Sequence, residues 1–134
     1  QEFIALMNDK AKEIGLTRTY FADMTGLDVN NISTAKEMTV IAQRAFSKYK
    51  ITEPSLLAAH SFVVTGSDGV LRTINVVDRN NSLHKFGIDA AKTGYLVEAQ
   101  RNAVIKKGTA IMAVLHAYSL KQRNQIFQQL IAAD

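Results

Sequence analysis

The spacing of apolar residues changes twice along this chain, and that change restricts the fold more than any single motif. In residues 3–14, Ile4, Met7, Ala11 and Ile14 recur at three- and four-residue steps, with Asp9, Lys10, Lys12 and Glu13 largely opposite. This is the period of an amphipathic helix, and Gly15 is a natural terminator. Met38, Ile41, Ala42, Ala45, Phe46 and Tyr49 repeat the pattern, so the spacing predicts a second helix from Ser33 or Thr34 onward. Thr34 and Glu37 have the spacing of a capping box, in which the hydroxyl accepts from one orphan amide and the carboxylate reaches back to another. Residues 16–32 lack a helical period and contain Gly26, Asp28, Asn30 and Asn31, so they read as an ordered loop. Pro54 starts a short turn or helix through Leu57.

After that the period shortens to two. Ser61–Thr65 and Val70–Val76 flank Gly66-Ser67-Asp68-Gly69, which predicts a hairpin. Residues 77–87 read as a loop. Strands are expected at about 88–95, 99–106 and 109–117, with Lys107-Gly108 as the tight turn between the last two. Ala110–Leu115 is apolar at consecutive positions, as a central strand covered by helices on both faces would be. The helical period returns with Leu120, Ile126, Phe127, Leu130 and Ile131. The fold class is therefore α+β, an antiparallel sheet flanked by helices. The 134 residues form a single domain, helical over about 1–58 and sheet plus closing helix over about 59–134.

Composition excludes several functions. Hydrophobic residues at 47% and charged residues at 21% are in the globular range, which rules out disorder. No apolar run reaches the roughly 18 residues of a transmembrane segment. Without cysteine there are no disulfides, thiolate metal sites or Cys nucleophiles. Sixteen Lys and Arg against twelve Asp and Glu give only +4, with no basic stripe interleaved with aromatics, so no nucleic-acid partner is expected. His60, His84 and His116 are far apart and lack metal-ligand spacing; they read as surface or strand-end histidines, and no metal is expected. A start at Gln1 rather than Met is expected of a segment cut from a longer chain.

The stretch that carries chemistry is Ile88-Asp89-Ala90-Ala91-Lys92-Thr93-Gly94-Tyr95. Lys-Thr-Gly alone would occur by chance in roughly one chain in thirty of this size. Its setting is more specific: a strand, followed by two strands and a terminal helix, downstream of Thr25-Gly26-Leu27-Asp28 and of Asn31-Ile32-Ser33-Thr34-Ala35-Lys36-Glu37-Met38. Together with the helix Phe3–Ala11 and the Asn80-Asn81 segment, these residues resemble, in order and over essentially the whole chain, the serine D-alanyl-D-alanine peptidases, or low-molecular-weight penicillin-binding proteins. The resemblance implies part of a penicillin-binding, β-lactamase-like transpeptidase domain.

That family works through S-x-x-K, S-x-N and K-T-G motifs converging on one cleft, where the first serine is acylated. By resemblance, Lys92 lends positive charge beside the catalytic serines, and Thr93 holds the C-terminal carboxylate of a D-Ala-D-Ala stem peptide. Gly94 leaves room for an extended substrate, and the amide of Tyr95 supplies an oxyanion-hole donor. Arg79 matches a position where some members place a second carboxylate-binding arginine. The implied partners are peptidoglycan stem peptides and β-lactams, with no cofactor, in the periplasm or cell envelope. Three departures from the family pattern stand out. Ala90 and Gln100 replace glycines and would crowd turns, and Leu96 replaces a threonine near the substrate groove.

The nucleophile is expected outside this chain. S-x-x-K occurs as Ser33/Lys36, Ser47/Lys50 and Ser82/Lys85, but Ser33 reads as a helix cap, Ser47 lies at a polar helix end and Ser82 lies in a loop. None begins a buried helix at a cleft, and no S-x-N occurs. The chain is thus expected to be inactive alone, with an apolar face that favours self-association or a missing N-terminal fragment. The alternative is a truncated, non-catalytic relative acting as a binding or assembly module.

Overall fold

The computed structural model describes residues 1–48, 59–77 and 81–133. In order, the elements are α1 (Glu2–Glu13), α2 (Ala35–Lys48), β1 (Ala59–Thr65), β2 (Leu71–Val77), α3 (Asn81–His84), β3 (Ala90–Leu96), β4 (Gln100–Lys107), β5 (Ala110–Ala117) and α4 (Leu120–Ala132). Helices, then antiparallel strands, then a helix is the α+β order that the two changes of period require. The turn or helix expected at Pro54–Leu57 lies outside the described residues, as does Arg79.

Among the described residues the strands form two antiparallel sheets. β1 pairs with β2, Phe62 opposite Ile74 and Val64 opposite Arg72, while β3, β4 and β5 form a three-stranded antiparallel sheet in that order. Phe62, Val63, Leu71 and Ile74 are exposed, so the β1–β2 hairpin keeps apolar side chains in solvent on both faces. Its turn is fixed by Asp68, whose carboxylate takes both Arg72 guanidinium nitrogens (2.9 and 2.5 Å) and the Val70 amide (3.1 Å). Those donors, Arg72 first, hold the Asp68 carboxyl down at about 2.

β5 is not central. Among the described residues β5 is an edge strand, not the central one its apolar run predicts, and β4 lies in the middle. Ala110–Leu115 is apolar on both faces because helices cover both: α2 packs against β5 and β4 from one side and α4 from the other. The α4 side holds the main core, with Leu83, Ile105 and Phe127 fully buried among Ile88, Ala91, Ala103, Met112, Val114 and Ala117. Side chains of the first three's size each contribute about 1.5–3 kcal/mol when fully buried. Leu83 belongs to α3, a short helix in the segment expected to be loop. Ser119 starts α4 by accepting the Gln122 amide at 3.1 Å, while the Gln122 side chain accepts from the Tyr118 amide at 2.8 Å.

Ala90 does not crowd a turn. It is fully buried as the first residue of β3 and keeps φ outside the left-handed region. The turn that matters there is Lys107–Gly108, where Asp89 accepts the Gly108 amide at 2.6 Å and Lys107 Nζ donates to the Phe86 carbonyl at 2.7 Å.

Candidate functional site

The loop at 16–32 is built by side chains that substitute for a backbone ladder. Asn8 of α1 donates to the Phe21 carbonyl at 2.8 Å and accepts the Phe21 amide at 2.9 Å. Asn31 Oδ1 accepts the Ala22 amide at 2.8 Å, and Tyr20 and Ile32 exchange two backbone bonds of 2.9 Å. Asp23 takes the hydroxyl and amide of Thr25, the amides of Gly26 and Leu27 and the side-chain amide of Asn31. These donors, the Thr25 hydroxyl first and Asn31 second, push its carboxyl far below the usual range.

Only half of the expected capping box forms. Thr34 Oγ1 accepts the Glu37 amide at 3.1 Å, but the Glu37 carboxylate turns to the loop, accepting from the amides of Thr17 (3.1 Å) and Arg18 (3.0 Å) and from the Thr19 hydroxyl (2.5 Å). Three loop donors compete with one cap amide and prevail. Ser33, expected to cap, instead pairs its hydroxyl with that of Thr19 at 2.8 Å. A Ser33–Thr19–Glu37 chain results, but Thr19 chiefly holds the Glu37 carboxyl below its ordinary value, and a carboxylate so held is a poor proton acceptor.

Between this loop and the sheet lies a groove of about 460 Å³. Tyr20, Ile32 and Ser33 line it from the loop side, and Gly94, Tyr95, Leu96 and Asn102 from the sheet. Among the described residues β3 pairs with β4 alone, so the other edge of β3 is open for an extended chain. Ala91 belongs to the core beneath α4. Strand alternation therefore puts Thr93 and Tyr95 on that face, and Lys92, Gly94 and Leu96 on the face toward α2.

Lys92 and Thr93 thus precede the groove along the strand and flank its edge from opposite faces. Lys92 is exposed, and its ammonium donates to the Thr93 carbonyl. Thr93 is half-buried. A Cβ built on Gly94 meets nothing within 4 Å, so the strand is unobstructed there. Tyr95 is exposed, with the Arg101 guanidinium 4.6 Å from its ring centroid.

Two residues at and beside the groove wall adopt a backbone conformation unusual for their type. Gln100 has φ +56 and His116 φ +57, both left-handed without being glycine. The crowding expected at Gln100 is thus located: it opens β4 in a conformation suited to glycine. His116 sits in a bulge, where the β4–β5 register shifts between Arg101 and Ala103. Asn102 spans both residues, accepting the His116 amide at 2.9 Å and donating to the Ala99 and Gln100 carbonyls at 3.2 and 3.1 Å. A bulge depends on the register of two strands, which no local pattern encodes.

The other S-x-x-K serines lie away from the groove lining. Ser47 Oγ donates to the Gln43 carbonyl at 2.6 Å within α2, and Ser82, in α3 rather than a loop, accepts from Arg123 Nη2 at 3.0 Å. No three His, Asp or Glu side chains gather as a metal site among the described residues, and none of their helices is long and apolar enough to cross a membrane.

Fold and groove together define a class, an α+β unit presenting a Lys-Thr-Gly strand at an open sheet edge beside a side-chain-braced loop. A family model described as D-alanyl-D-alanine carboxypeptidase matches residues 1–119, and the chain belongs to that family. It is 35% identical over 131 residues to D-alanyl-D-alanine carboxypeptidase DacF of Bacillus subtilis (strain 168), a match covering 92% of this chain and 32% of that protein. To a D-alanyl-D-alanine endopeptidase of Haemophilus influenzae it is 29% identical over 131 residues, covering 96% and 43%. The solved Streptomyces K15 DD-transpeptidase superposes with a TM-score of 0.87 at 26% identity, covering 97% of this chain and 52% of that one. The chain thus spans about a third to a half of the proteins it matches.

Proposed function

We propose that this chain is the Lys-Thr-Gly-bearing part of a serine-type D-Ala-D-Ala peptidase that acts on peptidoglycan stem peptides in the cell envelope and is acylated by β-lactams. The observation that carries this is the unobstructed open edge of β3 at Gly94, bordered by Lys92 and Thr93, in a chain of the D-alanyl-D-alanine carboxypeptidase family.

In this reading the peptide adds to β3 as an extra strand, so both faces of β3 border it. On one face the Lys92 ammonium favours ionisation and proton transfer at the reacting serine. On the other the Thr93 hydroxyl holds the terminal carboxylate, with Arg79 as a second contact. The serine oxygen attacks the carbonyl carbon of the penultimate D-Ala. The C–N bond to the last D-Ala breaks, and its nitrogen takes the proton that leaves the serine. Water then cleaves the ester. The Tyr95 amide stabilises the oxyanion in both steps. The serine itself lies on a part of the protein beyond these 134 residues, since Ser33, Ser47 and Ser82 are committed to local hydrogen bonds.

The test is to express the complete reading frame that carries this chain and treat it with a labelled penicillin and an N-acylated peptide ending in D-Ala-D-Ala. D-Ala release and a covalent adduct on a serine outside residues 1–134 are expected. An adduct on Ser33, Ser47 or Ser82 overturns the division of labour, and absence of both adduct and release overturns the peptidase reading.

A further inference from the structure

The side chains left to meet a ligand in the groove beyond Gly94 are mostly acceptors. Of the residues lining it, Asn31 and Asn102 have both ends of their side-chain amides bound to neighbouring groups. Ser33 is differently placed. The Thr19 hydroxyl spends its one proton on Glu37, so in the 2.8 Å contact between the two hydroxyls Ser33 is the donor and Thr19 the acceptor. The Ser33 oxygen keeps a lone pair and has no proton to give. Asp28 engages one carboxylate oxygen, which takes the amide and the side chain of Asn30 at 2.8 Å each, and keeps the other open. Glu98 is exposed in the β3–β4 turn and has no partner among the described residues.

No lysine or arginine is among the described lining residues. His116 is the one basic ring there, and it stands on β5, two strands from β3, packed edge-on against Tyr118 with ring centroids 5.6 Å apart. The phenols of Tyr20 and Tyr95 donate or accept equally well. Ile32, Met38, Leu96 and Leu115 supply an apolar wall. Two carboxylates and a hydroxyl whose proton is spent, set around apolar side chains, suit a ligand with an aliphatic stem and a cationic head.

We propose that this groove holds the side chain of the peptide residue that precedes D-Ala-D-Ala and selects one ending in a primary amine, with Ser33 and Glu98 as specificity residues. This rests on the peptidase reading above and adds a subsite to it. A terminal carboxylate at Thr93 and a scissile carbonyl at the Tyr95 amide run the peptide antiparallel to β3, so its next residue lies beside Leu96. The groove continues in that direction, from Gly94 to Glu98 and Ala99 in the turn. The methylenes pack against Leu96 and Met38, the ammonium donates to Ser33 Oγ, and Glu98 attracts it from the exposed turn.

The experiment uses the complete protein that carries this chain and three N-acylated peptides X-D-Ala-D-Ala, in which X is lysine, its ε-acetyl form or norleucine. Wild type should prefer lysine to both neutral peptides by about 10-fold in kcat/KM, the worth of a charged hydrogen bond. S33A should lose most of that preference. E98K should lower it about 5-fold or more, with norleucine turned over at nearly the wild-type rate. Salt at about 1 M should shrink the wild-type preference as well, because Glu98 is exposed to screening. Glu98 lies in a solvent-facing turn, so E98K serves if S33A loosens the loop. A wild-type protein indifferent to the three side chains, or a lysine preference unchanged in both E98K and S33A, overturns the assignment and leaves the peptidase reading standing. Release of no D-Ala from any of the three, with no penicillin adduct, overturns the peptidase reading and the assignment with it.

Discussion

Asn102 on β4 accepts the backbone amide of His116 on β5 at 2.9 Å, and the same side chain donates to two carbonyls of the β3–β4 turn. One amide group therefore ties the end of the Lys-Thr-Gly strand to the bulge across the sheet. Replacing it by alanine leaves three backbone groups to find water in a groove that is partly closed. Asn102→Ala should destabilise the protein by about 1–2 kcal/mol. Denaturant unfolding measures this, and Asn102→Asp, which keeps the acceptor but loses both donors, should fall between. An Asn102→Ala midpoint equal to wild type would remove the bracing role.

Gln100 stores strain next to that brace. A left-handed L-residue costs roughly 1–2 kcal/mol, and a glycine placed there returns about 0.4–1 kcal/mol of that through the freer unfolded chain. Gln100→Gly should therefore stabilise by about 0.5 kcal/mol, a rise of a few degrees in Tm for a unit of this size. Its side chain also donates to the Val97 carbonyl at 2.5 Å, but that bond is exposed and water replaces it. A lower Tm in Gln100→Gly would show that the bond to Val97 outweighs the backbone strain.

The loop at 16–32 depends on carboxylates being ionised. Asp23 and Glu37 are both held below their ordinary values, by Thr25 and Asn31 in the first case and Thr19 in the second. A depressed folded-state value means that the unfolded chain binds the proton more readily. The stabilisation is then complete above about pH 4.5 and is lost as pH falls toward the folded values. Amide exchange in residues 17–31 should quicken below pH 4 before the strands of the β3–β5 sheet do, and Asp23→Asn should flatten that dependence. Simultaneous loss of protection in loop and sheet would contradict a local titration.

Much of this was legible from residue order because apolar period reports secondary structure directly: α1, α2, the hairpin and α4 all carry their own pattern. What sequence alone misplaces is set by contacts across the fold. Glu37 has the spacing of a capping box, yet its carboxylate is drawn to Thr17–Thr19, nearly twenty residues earlier. Ala110–Leu115 reads as central because both faces are covered, but covered faces say nothing about which edge is paired. Lys92–Tyr95 is legible as a motif. The stacking of Arg101 on Tyr95 is not, because it exists only once β3 and β4 are in register.

Gly94 offers the sharpest separation of folding from ligand binding. Its φ is outside the left-handed range and a Cβ there meets open space, so valine is sterically free and suits a strand. Gly94→Val should leave Tm within about 1 kcal/mol equivalent of wild type, as for a surface substitution away from special features. In the complete protein the added methyls project from the α2 face of β3 into the groove, crowding a peptide that lies along the adjoining edge and displacing it from the Tyr95 amide. Misplacement by about an ångström costs on the order of 100-fold in rate, so penicillin acylation and D-Ala release should both drop by about that factor. Gly94→Ala, with one carbon in place of three, should lose less. Full acylation rates in a well-folded Gly94→Val protein would mean that the substrate does not lie against β3.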